Sequence, residues 1–221
     1  MVKYPYLAFC PQVTIRPIIP NLAGEPLILG LSGNEPVWEG LNPRKQRDYQ
    51  KRIETELGAR HQWGLSGYLE NRQTLLSNCT QMVSEQRYWH LGLDVIVPAG
   101  TSLYAPLDAT VVKSGFEPGD GNYGCYVILR HESAHFEPFY SFYGHLGKGS
   151  LPPSHLRITA GQPFARVGDF HENGHWFHHT HIQILTEAGF IQGFAFKGYC
   201  AKENLSHIQD LCPSPLPLFR V

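Results

Sequence analysis

The chain has 221 residues, of which 42% are hydrophobic and 17% charged, and its formal net charge is -1. This length and composition fit one full-sized domain with an extension, or two small domains, and allow a core that folds without disulfides or metal. The near-neutral balance excludes the electrostatic footprint of a nucleic-acid binder or of a protein held to anionic membranes.

The opening Met-Val-Lys-Tyr-Pro-Tyr-Leu-Ala-Phe-Cys-Pro has no basic start followed by a long apolar run, so it does not read as a secretory signal. No stretch is long enough for a membrane-spanning helix, and no membrane insertion is expected. The expected location is cytoplasmic, or periplasmic or extracellular if another route exports the chain. Residues 1–40, rich in Pro and Gly, read as an irregular arm. A helix follows: Asn42 can cap it, Pro43 suits its first position, Tyr49, Ile53 and Leu57 recur on one face, and Gly58 stops it. A second short helix is predicted over Leu69 to Ser77. After about residue 88 the pattern changes to short strands: Leu93 to Val97, Thr110 to Lys113 and Tyr123 to His131 around a turn-rich loop, Phe139 to Leu146, Phe164 to Val167, and His179 to Leu185. The tail from Cys200 reads as an extended piece laid over the domain. The fold class is therefore mainly β, an antiparallel sheet behind a partly helical N-terminal extension.

Five cysteines, none in a C-x-x-C pair, suit a reduced setting, with a Cys200–Cys212 bridge as the alternative. Twelve histidines are more unusual, and His171, His175, His178, His179 and His181 fall close together. In extended chain, positions two apart share a face. His90, Gly92 and Asp94 then point one way while Leu91, Leu93 and Val95 point into the core, and Gly92 leaves room for a group such as a zinc ion against the backbone. His179, His181 and Gln183 likewise share a face, opposite Thr180, Ile182 and Ile184. Three protein ligands plus water is the pattern of a catalytic zinc site. H-x-x-x-D alone is usually accidental and H-x-H alone is often structural; together in one domain, with Tyr143-Gly144-His145-Leu146 between them, they carry weight.

Those residues resemble the lysostaphin-type, or LytM-like, zinc endopeptidases, whose signature is H-x-x-x-D, a Tyr-x-His-Leu segment and H-x-H. Here these stand as His90-Leu91-Gly92-Leu93-Asp94, Tyr143-Gly144-His145-Leu146 and His179-Thr180-His181. Intervening stretches match as well: Pro98-Ala99-Gly100-Thr101, Tyr104-Ala105-Pro106, Asn122-Tyr123-Gly124, Val127 to His131, Gly161-Gln162 and Val167-Gly168. The resemblance covers about residues 88–186. It implies an antiparallel fold with a groove, one Zn2+ per chain held by His90, Asp94 and His181, and His145 and His179 as catalytic groups acting on the water and the oxyanion. It also implies hydrolysis of peptide bonds, typically cross-links of bacterial peptidoglycan. The division of the chain that follows is an extension over 1–87, the peptidase domain over 88–190, and a tail over 191–221 packed on it.

The chain departs from that pattern at Thr180 and Gln183, where Leu and Glu are usual, at Ala109, where Gly is usual, and in the loop Glu172-Asn173-Gly174-His175-Trp176. That loop, Ser66 to Arg72 and the Leu211-Cys212-Pro213 tail resemble a subgroup found beside aminotransferase-like domains in larger proteins, where a cell-wall substrate is less secure. Tyr143 and His131 are candidate groups on the substrate or beside the ligands; for His131 the competing reading is a strand-end His bonded to a carbonyl. Asp169 and Glu172 are candidate acceptors for ligand imidazoles. The segment 66–72, with Tyr68, Glu70, Asn71 and Arg72, either shapes the groove, blocks the open zinc position, or is an ordinary packing arm. Besides a peptidase, the readings kept open are a non-catalytic LytM-like module that binds partners and a cytoplasmic zinc amidohydrolase with a substrate outside the wall.

Overall fold

The β-branched and aromatic runs after residue 88 pair as strands because they alternate between two buried surfaces. The computed structural model describes residues 1–33, 35–42, 45–58, 60–119 and 121–219. In chain order its strands and α-helices are β1 (Leu27–Ile28), α1 (Gln46–Leu57), β2 (Gly64–Ser66), α2 (Thr80–Ser84), β3 (Trp89–His90), β4 (Leu93–Ile96), β5 (Ser102–Tyr104), β6 (Ala109–Glu117), β7 (Gly124–His131), β8 (Phe139–Leu146), β9 (Arg157–Ile158), β10 (Pro163–Arg166), β11 (Thr180–Thr186), α3 (Glu187–Ile191), β12 (Tyr199–Cys200) and α4 (Ile208–Leu211). The main sheet runs β1-β2-β4-β11-β8-β7-β6-β9, and all its pairs are antiparallel except β1 with β2. The small pairs β10-β5 and β12-β3 lie outside it. The fold is thus mainly β. Among the described residues no helix is long and apolar enough to cross a membrane.

Two faces of the sheet carry two cores. One face gathers Val95, Val111, Val127, Leu129, Tyr143 and Ile182 against Phe164 of β10. The other gathers Tyr126, Ile128, Phe142 and Leu185 against Phe194, Ile208 and Cys212 of the C-terminal segment. A third core joins the N-terminal extension to the sheet: Trp38, Tyr49, Ile53, Leu75 and Met82 pack with Ile96, Trp176, Phe177 and Tyr199. All five cysteines are free thiols, so Cys200 and Cys212 are not bridged.

The predicted helices are partly corrected. The helix over Tyr49, Ile53 and Leu57 is present and ends at Gly58, whose φ of 49° suits glycine, but it starts at Gln46 with Lys45 before it. Pro43 lies outside the described residues. No helix forms over Leu69 to Ser77, because the backbone there is paired elsewhere. Leu69 N–H bonds to His90 O at 2.7 Å, Arg72 N–H to Tyr88 O at 2.9 Å, and His90 N–H to Glu70 O at 3.0 Å. Residues 69–72 are laid along β3, residues 73–78 form turns in which Leu76 N–H bonds to Arg72 O at 3.0 Å, and the short helix of this region is α2.

Candidate metal centre

β4 and β11 are neighbours with His181 opposite Asp94, and β8 lies on the other side with Gly144 opposite His181. The polar face predicted for these strands therefore converges at one end of the sheet. His90 Nε2 stands 3.0 Å from His181 Nδ1 and 3.3 Å from Asp94 Oδ1, and His181 Nδ1 stands 3.0 Å from the same oxygen. All three side chains are buried. Gly92 does leave room, but the His181 ring fills it: a Cβ there would lie 2.2 Å from His181 Cε1. Leu91 also departs from expectation, joining the core on the opposite face from Leu93 and Val95.

Hydrogen bonds fix which ring nitrogen is free in each histidine. His90 Nδ1–H donates to Gly67 O at 2.8 Å, so its Nε2 carries the lone pair. Gln183 donates its amide N–H to Phe194 O, which turns its Oε1 toward His181 Nε2 at 3.2 Å. His181 therefore holds its proton on Nε2 and presents Nδ1 bare. Asp94 uses Oδ2 for Arg72, leaving Oδ1. Three acceptors thus meet at one point with no proton between them, an arrangement that only a cation relieves. The edge of a tetrahedron around zinc with bonds of about 2.1 Å is about 3.4 Å, close to these separations. The set fits a zinc ion with one position left for water.

Arg72 is the residue whose role the sequence left hidden. It is 2% exposed and donates to Asp94 Oδ2 at 2.5 Å, Glu70 Oε2 at 2.9 Å and Ser66 Oγ at 2.9 Å. Burial works against its charge, but Asp94, Tyr199 and Glu70 outweigh that and keep it protonated. Burial alone would raise the Asp94 carboxyl; His90, Arg72 and His179 hold it well below the usual carboxylate range.

His145 and His179 stand next to this cluster, their ring centroids 4.3 Å apart. His179 Nε2 is 3.9 Å from Asp94 Oδ1. His145 Nδ1–H donates to Asn173 O at 2.7 Å and His179 Nδ1–H to Phe177 O at 2.8 Å. Both Nε2 atoms are therefore bare. Burial first, then His179 and His181, hold the His145 imidazole well below its ordinary range, and burial takes His179 down to about 4. Each is a neutral base in the resting protein, so neither can donate to an oxyanion until it has taken a proton.

The remaining expectations divide. Glu70 sits behind the site, on Arg72. Asn71 does not face it: its backbone bridges Trp89 and its side chain accepts from Gln73 N. Tyr143 points to the opposite face, stacking edge-on with Phe164. His131 lies at the far end of β7, where Nδ1 donates to Asp108 O and Nε2 meets Ser141 Oγ, so it is the carbonyl-bonded strand-end histidine. Asp169 serves His178 and Glu172 serves Lys148 N; the imidazoles of the site are held by backbone carbonyls and Gln183 instead. Segment 66–72 does lie at the site.

These groups open into a cavity of about 240 Å³, whose walls include Arg72 and Met82 from the extension, Trp176 from the loop before β11, and Tyr199 from β12. The loop is held by Asn173, fully buried, whose Oδ1 accepts from Trp176 N and whose Nδ2 donates to Trp176 O.

A mainly β sheet carrying such a cluster suits a metal-dependent hydrolase, and the family comparison agrees. Residues 88–192, a little under half of the chain, match Peptidase family M23. This part of the chain is therefore similar to M23 peptidase domains. Among solved structures, a zinc-containing peptidase from Vibrio cholerae is 26% identical over 44% of this chain and 27% of its own, with a TM-score of 0.37. Lysostaphin from Staphylococcus simulans is 20% identical over 52% of this chain and 43% of its own, with a TM-score of 0.39. Its catalytic domain is 16% identical over 53% of this chain and 79% of its own, with a TM-score of 0.37. The chain thus spans about a quarter of the first and somewhat under half of the second. No curated protein matches the sequence.

Proposed function

We propose that the chain is a zinc-dependent peptidase in which His90, Asp94 and His181 hold one Zn2+ and His145 and His179 are the catalytic groups. The observation that carries this reading is the meeting of three bare ligand atoms beside two further bare imidazole nitrogens. Zinc, when bound, supplies a water of lowered pKa and a Lewis acid for the scissile carbonyl. His179, nearer to Asp94, takes the proton of the attacking water on Nε2. His145 takes up or passes on a proton on the other side, toward the leaving amine. Arg72 and Gln183 hold Asp94 and His181 in the ligating orientation, as outer partners of metal ligands do. Retention of both extra histidines favours an enzyme over a purely binding module. The substrate is a peptide-type amide, and the resemblance points to peptidoglycan peptides.

The test pairs metal content with turnover on wall peptides. About one zinc per chain is expected. His90→Ala, Asp94→Ala and His181→Ala lose the metal; His145→Ala and His179→Ala keep it and lose on the order of 100- to 10,000-fold in rate. Full zinc occupancy in His181→Ala sinks the ligand assignment, and loss of zinc in His179→Ala makes that residue a ligand.

A further inference from the structure

Attack of water on an amide carbonyl turns the carbonyl oxygen into an anion, and a preorganised donor aimed at that oxygen lowers the barrier. Most donors on the cavity wall are already committed. His145 and His179 carry their protons on Nδ1, bonded to Asn173 O and Phe177 O, and His181 turns its own toward Gln183. The Tyr123 hydroxyl donates to Gln183 Oε1 at 3.3 Å, and Arg87 is ion-paired with Glu85 at 2.7 Å. The Arg72 guanidinium is shared among Asp94, Glu70 and Ser66. Among the aromatic and cationic side chains of this wall, that leaves the indole N–H of Trp176 and the hydroxyl of Tyr199. The indole nitrogen is buried, and the ring edge beside it faces the loop before β7, where a Cβ on Gly121 would stand 3.8 Å from Trp176 Cζ2.

Tyr199 is placed differently. It belongs to β12, which pairs antiparallel with β3 and sets Tyr199 opposite His90. Leu91 N–H bonds to Gly198 O at 2.8 Å and Tyr88 N–H to Cys200 O at 3.1 Å, so the register is fixed from both sides. The Tyr199 ring centroid is 5.5 Å from that of His90, the residue is 8% exposed, and it shares the cavity wall with Asp94, His179 and His181. Its oxygen accepts from the Arg72 guanidinium, the group that also holds Asp94 Oδ2. The phenol oxygen therefore stands within a guanidinium's breadth of a ligand carboxylate. Because Arg72 donates to it, its own proton is directed elsewhere, and no acceptor for that proton stands among the described residues. A phenol keeps its proton below about pH 10, and a cation bonded to its oxygen strengthens it as a donor.

We propose that Tyr199 is a catalytic residue whose O–H donates to the carbonyl oxygen of the scissile amide as that oxygen becomes negative, with Arg72 behind it. This rests on the peptidase reading and adds to it a residue of the tail, outside the stretch that matches the family. In the step, the water oxygen bonds to the carbonyl carbon, the π electrons of the C=O move onto the oxygen that Tyr199 meets, and the water proton goes to His179 Nε2. The C–N bond then breaks, those electrons re-form the C=O, and the amine leaves with the same proton, passed through His145. Tyr199 keeps its proton throughout; its hydrogen bond strengthens as charge develops and relaxes as the charge is lost.

The test uses the full zinc-loaded chain and dimethylphosphinate, a tetrahedral anion with no sequence that could mismatch, so that it decides without turnover. Affinity is measured by calorimetry and zinc content separately. Tyr199→Phe keeps the ring and removes only the O–H. It is expected to retain its zinc and to bind the anion about tenfold more weakly. On wall peptides it is expected to lower kcat about 100- to 1,000-fold at unchanged KM, as loss of a contact made only in the transition state requires. Wild-type affinity or wild-type kcat in zinc-loaded Tyr199→Phe overturns the role of Tyr199 and leaves the peptidase reading standing, and so does a zinc-loaded wild type that binds no phosphinate. Loss of zinc in Tyr199→Phe also overturns it, because the tyrosine then only supports the ligands through Arg72. A wild-type chain that binds no zinc overturns both readings together.

Discussion

Gln183 decides which nitrogen of His181 is available, and it does so through a chain of fixed directions. Its amide N–H is committed to Phe194 O, so its oxygen must face the imidazole. The Gln at this place stood out in the sequence as a departure and as sharing a face with His181; the direction of its amide is set by Phe194, eleven residues away, which no local pattern shows. Gln183→Leu removes the acceptor and frees the ring to change tautomer. Zinc affinity is expected to fall about 10- to 100-fold, measured by competition with a chelator. Arg72 was equally illegible, since a lone Arg in a polar segment is normally a solvated charge; only the pairing of 69–72 with β3 buries it beside Asp94. That His90, Asp94, His179 and His181 come together was readable because their spacing fits strand faces, and that His145 joins them was readable from the resemblance of its segment. His131 was readable as a strand-end residue, but its distance from the ligand cluster was not, because that depends on where β7 ends relative to β4 and β11. Its imidazole, 6.5 when free, is pushed down to about 4 by burial. The folded state therefore refuses a proton that the unfolded chain accepts below pH 6.5. Stability from this group is complete above 6.5 and is lost as pH falls toward 4. Between pH 8 and pH 5 the loss is about 2 kcal/mol. A chemical denaturation series on the wild type and His131→Gln checks it: the variant has the shallower pH dependence.

Among the elements, the hairpins β6–β7 and β7–β8 were legible because strand alternation and a Gly-rich turn act locally. The segment 69–77 was not, because its helical spacing competes with hydrogen bonds to β3 that span some twenty residues. Leu69 adopts a φ of 59°, which a helix does not allow. The start of α1 was misplaced for a smaller reason, since cap residues fix a boundary only to within a few positions. The strand segment from His90 to Asp94 bears the tightest constraint. Gly92→Ala places a methyl into the His181 ring, and neither the short backbone link between β3 and β4 nor a ring held by Gln183 can give way cheaply. Zinc content is expected to fall below half an equivalent while the far-ultraviolet circular dichroism stays that of a β protein. In α1, Ile53 is fully buried between Trp38, Tyr49 and the sheet. Ile53→Ala is expected to cost about 2–5 kcal/mol in unfolding free energy.

For the whole molecule, the connection between extension, sheet and tail is made by side chains rather than by sequence proximity. Tyr4 Oη donates to Ser214 O, across 210 positions, and the third core mixes Trp38, Ile53 and Met82 with Ile96, Phe177 and Tyr199. Composition announced a sufficient core but could not say that three stretches share it. The thiols report on this directly. Burial pushes Cys125 and Cys200 up to about 11 and Cys212 up to about 12, so all three resist alkylation in the folded protein. Cys79 packs against the third core. In a denaturant series with iodoacetamide, labelling of Cys79, Cys125, Cys200 and Cys212 is expected to rise at one common midpoint, resolved peptide by peptide by mass spectrometry. An earlier midpoint for Cys79 alone would mean that the extension melts as a unit of its own.

The hydrogen bonds that Arg72 donates to Glu70 and to Asp94 have a practical consequence for anyone who trims the gene to the family limits. A fragment starting at residue 88 keeps every residue of the signature and discards the guanidinium that balances its aspartate. It also strips the apolar cover from Ile96, Trp176 and Phe177, leaving a sticky flank on an otherwise intact sheet. Such a fragment is expected to collect in inclusion bodies and, when refolded, to bind zinc weakly, although an alignment would pronounce it whole.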